Sequence, residues 1–541
     1  MPRGVVAPPA VVKLLSRLPL PGLEPRLSWD WDPTAFEPLA HPVPDDFAWR
    51  HRELAKSNLP DLVRARLNLE LAFLGAAHRD GPLELRRIAN PDSMSSEARA
   101  LRSRDAYLRL LETAPDNGEF RTDLGDLYRF LGQPDSAIVQ YRRALMSARP
   151  PARLFSRLAN AELEQLIQNP SAGTQSEFRN VLARGMAHFA GAAPTDPRRA
   201  ARFHLERAKF RVDRAVLEVQ ADRAMRKEAW RQAGPDSTFA LMARVVAPET
   251  RRAFQAAAES DTNLAEAHGW LGTVVTGQIY LPITAEGWLT RSTMTSRDTL
   301  AAALWKLAVR RRAQRSGDAA YAAANLNRCE ALEPTRFPRA RAEQARLAVI
   351  LDDLDGSAGL WRALMVRDPE NIETYAAELF TTHSLEGAAG LETDLPSAGR
   401  VERGISEALR EKTGAYGANN SEAVTLLGIL RGELGRPEEA WRDLSRSAAF
   451  DTTDWRARLG LAVLSLHEMD APAAEPHLAY AGRHFGQLDE PARGIYCGAV
   501  GLLYAARRDT VNARRWLDEA VRFNPAEPVL REAARSLDAG P

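Results

Sequence analysis

The chain has 541 residues, of which 45% are hydrophobic and 26% are charged, proportions typical of an ordinary globular protein. Its formal net charge is +1, so overall charge indicates neither a nucleic acid nor an anionic membrane surface as a partner. No apolar run has the length of a membrane span, and two cysteines do not make a disulfide framework. Most basic residues are arginine, which we interpret as the mark of a GC-rich bacterial genome.

The first 50 residues are rich in proline and carry Trp29 and Trp31. We predict an extended arm without a periodic helix, docked along the first helices of the chain by the two tryptophans, because disordered tails rarely carry such a pair. The start lacks the continuous apolar core of a signal peptide, so a cytoplasmic protein is predicted. A start codon upstream of Met1 would leave the periplasm as the alternative.

Beyond this arm, one short pattern recurs. A large apolar residue precedes a small or aliphatic residue by three positions, and a proline follows five positions later. The first two members lie one helical turn apart on one face, and the proline stops the helix because it lacks an N–H group and clashes with the preceding turn. The copies are Tyr107/Leu110/Pro115, Phe189/Ala192/Pro197, Leu326/Cys329/Pro334, Trp361/Leu364/Pro369 and Leu517/Ala520/Pro525. One kind of helix is therefore built and stopped five times, which is an internal repeat.

At three places the sequence also predicts a first helix that precedes the second helix of the repeat. A glycine is followed twelve residues later by an alanine, and a large apolar residue comes four residues after that alanine. The three sets are Gly125/Ala137/Tyr141, Gly428/Ala440/Leu444 and Gly501/Ala513/Leu517. The small residues predict a close approach of two antiparallel helices. Neither helix can bury its apolar stripe alone, so successive pairs must stack.

Helix-breaking residues in the middle of the repeat predict the turn between its two helices. They are Gly132 with Pro134, and Gly435 with Pro437. Together these residues resemble the tetratricopeptide repeat, a helix-turn-helix unit of 34 residues. Leu158-Ala159 lies 34 residues after Leu124-Gly125, which keeps the register. The resemblance covers roughly residues 85 to 527. It implies an all-α fold, a superhelical α-solenoid of stacked antiparallel helix pairs with eight to ten repeats.

Some stretches depart from this unit. From Asp196 to Gln232 no strong breaker occurs, so one long helix with Asp196 as its N-cap is predicted. Residues 278–300 and 380–420 are interpreted as insertions or long loops, where function often lies. The predicted domains are a proline-rich arm at 1–50, repeats at 51–270, degenerate repeats with inserted loops at 271–420, and repeats with a capping helix at 421–541.

The sequence carries no Gly-x4-Gly-Lys-Ser/Thr loop, no Gly-x-Ser-x-Gly elbow and no His-Glu-x-x-His motif. His477 and His484 lack the nearby cysteine or spaced carboxylate that a metal site needs. The basic run at 310–312 is interpreted as the solvated end of a helix, and Cys329 and Cys497 as buried hydrophobic residues. We therefore predict a protein that is not an enzyme and has no cofactor or metal.

The resemblance implies a non-catalytic scaffold that holds a partner peptide or helix on the concave face formed by the first helix of each pair. Some members of the family grip a C-terminal carboxylate with lysines, which are absent from the inward positions here. An accessory or sensory subunit of an enzyme complex is the alternative, and a catalytic module within 278–300 or 380–420 is a third hypothesis. The residues predicted to line the partner-binding groove are Thr122, Asp126, Arg129, Ser156, Asn160 and Leu163.

Overall fold

The computed structural model describes residues 8–23, 27, 50–56, 59–77, 94–147, 153–226, 241–291, 296–334, 337–367, 371–391, 395–411, 420–525 and 527–538. Within these ranges the regular structure is helical and contains no strand, which confirms the predicted all-α class. The helices discussed are α1 (Pro9–Leu15), α2 (Asp61–Ala77), α3 (Ser96–Thr113), α4 (Gly118–Phe130), α5 (Pro134–Leu145), α6 (Leu154–Gln168), α7 (Ala172–Ala190), α8 (Pro197–Arg226), α9 (Pro248–Ser260), α10 (Ala265–Arg291), α11 (Arg297–Leu332), α12 (Pro338–Leu351), α13 (Leu354–Arg367), α14 (Ile372–Ala388), α15 (Ser397–Glu411), α16 (Ser421–Glu433), α17 (Pro437–Phe450), α18 (Trp455–His467), α19 (Ala471–Arg483), α20 (Glu490–Ala506), α21 (Thr510–Phe523) and α22 (Pro528–Asp538).

The chain forms two compact units that interleave along the sequence. Unit 1 contains residues 1–28, 282–316 and 345–541, and unit 2 contains residues 29–281 and 317–344. The four domains drawn from the sequence stay a prediction.

Helices that follow one another pack in pairs inside each unit. In unit 2, α4 packs on α5 and α6 on α7; in unit 1, the pairs are α16 with α17, α18 with α19, and α20 with α21. The first helix of a pair also contacts the first helix of the next pair, as α4 does with α6, α16 with α18, α18 with α20, and α20 with α22. Stacking of pairs through such a continuous row of first helices is the organisation of an α-solenoid. We call the surface of this row the first-helix face.

The predicted small residues lie where the two helices of a pair touch. A Cβ atom on Gly501 would lie 2.8 Å from Cγ of Leu517 and 3.2 Å from the carbonyl oxygen of Ala513. A Cβ atom on Gly428 would lie 2.7 Å from Cγ of Leu444. These separations are too short for a side chain, so the register predicted from the spacing is confirmed.

In four of the five pairs named above, the turn contains one residue with left-handed backbone, and the turn between α6 and α7 contains none. Gly132 has φ of 71° and Gly435 has φ of 74°. In the C-terminal pairs the same turn position, seven residues after the small packing residue, is occupied by Met469 with φ of 61° and Arg508 with φ of 63°. A side chain at such a residue is strained by its own Cβ atom, which glycine lacks.

We therefore expect Arg508→Gly to raise the free energy of unfolding and Gly435→Ala to lower it, each by about 1 kcal/mol. Urea titration followed by circular dichroism measures both changes. Gly317→Ala is the control, because Gly317 lies in α11 without positive φ, and alanine there should stabilise the helix. Equal destabilisation by both alanine variants would contradict the argument from backbone strain.

The prolines end helices as predicted at three of the described sites. Helix α3 ends two residues before Pro115, α11 two residues before Pro334, and α21 two residues before Pro525. Pro369 lies outside the described residues. At the remaining site the prediction is wrong in part, because α7 ends at Ala190 and leaves Ala192 beyond it. Gly191 takes an extended backbone there, and glycine has a weak preference for helix.

Two stretches interpreted as insertions or long loops are largely helical where they are described. Helix α10 continues through Arg291 and α11 begins at Arg297, so most of 278–300 is helix. Within 380–420, α14 runs to Ala388 and α15 covers Ser397–Glu411. The interpretation as long loops is therefore wrong for these helical parts, because tertiary burial of residues such as Ile283 and Val401 overrides weak local helix propensity. That the two stretches are insertions stays a prediction. Residues 292–295 and 412–419 lie outside the described residues.

The predicted long helix is confirmed as α8, Pro197–Arg226, and the backbone N–H of Arg199 donates to Oδ1 of Asp196 at 2.9 Å. Gln232 lies outside the described residues. The capping helix is confirmed as α22, in which Leu530 and Ala533 are fully buried. Helix α22 packs on both helices of the α20–α21 pair.

The N-terminal arm differs from its prediction. Residues 9–15 form the helix α1, which begins after Pro8 with Pro9 at its first position, where proline is favoured. This helix packs on α20 and α22 of unit 1 and not on the first helices of the chain. Its apolar residues Leu14 and Leu15 make that contact, whereas Trp29 and Trp31 lie outside the described residues.

Candidate protein-interaction surfaces

Three of the six residues predicted to line a groove in unit 2 are buried. Thr122 is 1% exposed, and its Oγ1 donates to the carbonyl oxygen of Gly118 at 2.6 Å. Ser156 and Leu163 are also buried. The prediction that these three side chains face a ligand is wrong, since they turn into the packing of the unit.

The other three predicted residues, Asp126, Arg129 and Asn160, are half-buried on the first-helix face of α4 and α6. Arg129 pairs with Glu164 of α6, Nη2 to Oε1 at 2.7 Å. Asp126 pairs with Arg157 of α6, Oδ2 to Nη2 at 3.2 Å. Charges of both signs therefore alternate across the two helices. Binding of a partner by the predicted residues stays a prediction.

Two tyrosines hold the acidic residues of α4 in place. The hydroxyl of Tyr141 donates to Oδ1 of Asp126 at 2.6 Å, and that of Tyr107 donates to Oδ2 of Asp123 at 2.7 Å. Burial and the nearby carboxylates raise the pKa of both phenols well above the ordinary value, so both stay protonated donors. The sequence assigned these tyrosines to packing, and their spacing of 34 residues is the signal that marks them as equivalent.

In unit 1 the first-helix face carries the N-terminal segment of the chain itself. We call residues 9–20 the docked arm. Leu18 lies over Gly498 of α20, where a Cβ atom would be 3.5 Å from its Cδ1, and Leu20 occupies the space beside Gly432 of α16. Val11, Leu14 and Leu15 are buried in the same apolar cluster as the helices from α17 to α22. Apolar contacts therefore attach the docked arm to the rest of unit 1 along its length.

Two polar contacts complete the arm's attachment. The carbonyl oxygen of Leu18 lies 2.7 Å from Nε2 of His467 in α18, and a carbonyl only accepts, so this nitrogen donates. Arg17 Nη1 pairs with Oε2 of Glu532 in α22 at 2.9 Å. The second contact is largely exposed, so it contributes more to orientation than to stability.

The basic run at 310–312 is held by contacts within unit 1. Arg310 pairs with Glu286, and Arg311 pairs with the same carboxylate, Nη2 to Oε1 at 3.1 Å. The guanidinium of Arg312 lies over the ring of Trp305, 5.4 Å from its centroid. These arginines are therefore engaged inside the unit.

The described residues bring together no group of three histidine, cysteine, aspartate or glutamate side chains able to hold a metal ion. His484 stacks instead on the ring of Tyr480, with centroids 4.6 Å apart. In the part of the chain that the structure describes, we find no helix of the length and apolarity needed to cross a membrane.

Both cysteines are free and buried, as the sequence predicted. Burial, with nearby glutamates, raises the pKa of the Cys329 thiol and of the Cys497 thiol to about 12. The thiolate is the reactive form, and it is scarce at neutral pH when the pKa is so high. Neither side chain has the character of a nucleophile.

We therefore expect a thiol-specific chromogenic reagent to label neither cysteine in the folded chain at neutral pH, and to label both after denaturation. The absorbance of the released chromophore counts the reactive thiols. A Cys329→Ser variant assigns the remaining signal to Cys497. Rapid labelling of one thiol before unfolding would contradict its burial.

No protein-family model matches the sequence, and no curated protein matches it. Among solved structures, the chain is similar to yeast Tom70, with 13% identity, a TM-score of 0.25, and coverage of 87% of this chain and 99% of that chain. It is also similar to the APC/C hetero-tetramer Cut9-Hcn1, with 12% identity, a TM-score of 0.29, and coverage of 93% and 98%. The class of the protein follows from its own helix pairs. Their close glycine contacts, turns and stacked first helices make it a helical repeat protein whose units resemble the tetratricopeptide repeat.

Proposed function

We propose that this chain is a non-catalytic scaffold that binds a partner protein by holding a peptide or helix of the partner on a first-helix face. The observation that supports the proposal is the docked arm of unit 1. There the first helices already hold a peptide segment through buried leucines, one backbone carbonyl and one ion pair. Recognition of helical or extended peptides commonly combines such apolar anchors with contacts to the peptide backbone.

For unit 2 we place the partner's peptide over α4 and α6, beside Asp126, Arg129 and Asn160. Their carboxylate, guanidinium and amide groups supply both acceptors and donors to an extended backbone. The Nδ2 of Asn160 donates to the carbonyl of Ser156 at 2.9 Å, and its amide oxygen is the group offered to a ligand. Thr122, Ser156 and Leu163 support this surface from beneath. The cytoplasm stays the expected compartment.

A site-specific crosslinker tests this placement in the full chain expressed in its native cells. We expect a photoreactive residue at position 160 to capture a partner protein, whereas one at position 139 should not. Val139 is the matched control because it is exposed on α5, the second helix of the α4–α5 pair, which packs against α6. Equal capture at both positions would argue against a first-helix binding face.

The double variant Asp126→Asn, Asn160→Ala tests the same surface by affinity. Asparagine at position 126 keeps an acceptor for the Tyr141 hydroxyl, so the fold should be preserved. Loss of a hydrogen bond to a charged group costs about 1.5–3 kcal/mol, so we expect affinity for the captured partner to fall roughly tenfold or more. Unchanged affinity in a variant with an unchanged melting curve would contradict the placement.

A further inference from the structure

The docked arm is attached to repeats that are complete without it. The pairs beneath it close through their own contacts, such as Gly428 with Leu444 and Gly501 with Leu517. The helix α1 contacts α20 and α22, which are first helices, and among the described helices none follows α1 as the second member of a pair with it. The arm is therefore an addition to the first-helix face and not a member of a repeat.

The contacts of the arm join residues that are very distant in the sequence. Leu18 and His467 are 449 positions apart, and Arg17 and Glu532 are 515 positions apart. The backbone between Leu18 and Pro21 lies outside a helix, because each proline disfavours helical backbone at the residue before it. Its carbonyl groups are left outside a helix, and His467 binds one of them. This is how a groove holds a separate peptide.

We propose that the surface beneath residues 9–20, formed by α16, α18, α20 and α22, is a second binding site, which we call the arm site. Its ligand is a partner segment with the chemistry of the arm: a short helix with adjacent leucines, then a Leu-Pro-Leu stretch, with a cation opposite Glu532. The docked arm occupies the site in cis and must leave before the partner binds. The proposal rests on the scaffold role proposed above but concerns unit 1 only.

Each part of the arm site selects one feature of this ligand. Gly498 and Gly432 leave depressions that receive the side chains of Leu18 and Leu20. His467 donates to a carbonyl that precedes a proline. The carboxylate of Glu532, about half exposed, favours arginine or lysine at the position of Arg17. A segment lacking the leucines or the cation would compete poorly with the arm.

Because the docked arm is covalently linked to the chain, it competes strongly with a free peptide for the arm site. A tethered segment acts at an effective concentration in the millimolar range when its linker spans the site. A free peptide of the same sequence therefore binds the intact chain only weakly. Weakening the contacts of the docked arm should make the arm site accessible to the peptide.

The test uses the full chain and a fluorescein-labelled peptide of residues 8–23, with binding read by fluorescence anisotropy. In the chain carrying Leu18→Asp, which places a charge at a buried position of the arm, we expect the peptide to bind at least tenfold more tightly than to the parent chain. Lys13→Asp is the matched control, because Lys13 is exposed on α1, and its affinity should equal that of the parent. A peptide that itself carries Leu18→Asp should not bind.

A second variant keeps the test decisive if Leu18→Asp disturbs the helices. Arg17→Glu repels Glu532 at an exposed pair, so the fold should persist while the arm is weakened. We expect several-fold tighter binding of the peptide to this chain. Adding Glu532→Arg should reverse the preference, so that a peptide with Arg17→Glu binds better than the parent peptide.

Absence of saturable peptide binding to the folded arm variants would overturn the proposal. A parent chain that runs as a dimer in size-exclusion chromatography with light scattering, and becomes monomeric with excess peptide, would also overturn it, because a second copy would then be the occupant. Failure of the arm-site proposal can be distinguished from failure of the proposed scaffold function. Capture by a crosslinker at position 160 reports on unit 2 and does not depend on the arm.

Discussion

Replacing Glu378 by alanine is expected to lower the free energy of unfolding by about 3–5 kcal/mol. Oε1 of Glu378 in α14 lies 2.9 Å from Nη2 of Arg346 in α12, and the two side chains are only 5% and 7% exposed. The guanidinium of Arg346 also lies over the ring of Trp361, 5.7 Å from its centroid. Alanine would leave this buried positive charge without the carboxylate that compensates its desolvation.

Two controls separate the buried pair from ordinary effects of charge removal. The double variant Arg346→Leu, Glu378→Leu should recover much of the loss, because apolar replacement of both partners is often neutral or stabilising. Glu249→Ala breaks an exposed pair with Arg252, whose side chains are 52% and 71% exposed, and should cost less than about 1 kcal/mol. Urea titration followed by circular dichroism gives all three values. A curve for Glu378→Ala that overlays the parent's would show that the pair does not stabilise unit 1.

Gly501→Leu is expected to lower the free energy of unfolding by about 1–3 kcal/mol or more. Even a Cβ atom would meet Leu517 at 2.8 Å and the backbone oxygen of Ala513 at 3.2 Å. The side chain of Leu517 has some freedom to move, but the backbone of α21 does not, so the larger side chain must push α20 and α21 apart. The lost contact between the two helices is the source of the expected effect.

Gly359→Ala is the matched control for this substitution. Gly359 is inside α13. Apart from Gly359, its two chain neighbours and the nearby backbone of α13, no heavy atom of the described residues lies within 4 Å of the position that a Cβ atom on Gly359 would take. Alanine there should raise stability by up to about 1 kcal/mol through helix propensity alone. If Gly501→Leu melted at the same temperature as the parent while Gly359→Ala melted higher, the close contact of α20 and α21 would be wrong.

The helix pairs could be predicted because their determinants are local. The glycine at position 428 and the leucine at 444 are separated by one turn and two half-helices, and the chain connecting them leaves few ways to place them. Pro115 and Pro525 stop their helices wherever they fold, since proline lacks the N–H group. Repetition of the same spacing then fixed the stacking of pairs, because each pair has an apolar stripe that it cannot bury alone.

The candidate sites could be predicted only in part. The positions of Asp126, Arg129 and Asn160 follow from the helical period, which places them on the first-helix face. The burial of Thr122 does not follow from it, because burial depends on what packs across the face and not on the helix that carries the residue. The same limit explains why residues 278–291 resemble a loop in sequence and are helix in the structure.

The sequence by itself determined the class of fold, the pairing of helices and the register of their small packing residues, since all of these depend on spacings within about 34 residues. Only the tertiary structure decided where the N-terminal arm lies and which charges are buried together. Arg17 and Glu532 are 515 positions apart in the chain. Arg346 and Glu378 are only 32 positions apart, but no periodic pattern links the members of either pair. Such contacts are set by the complementarity of surfaces that exist only after the repeats have stacked.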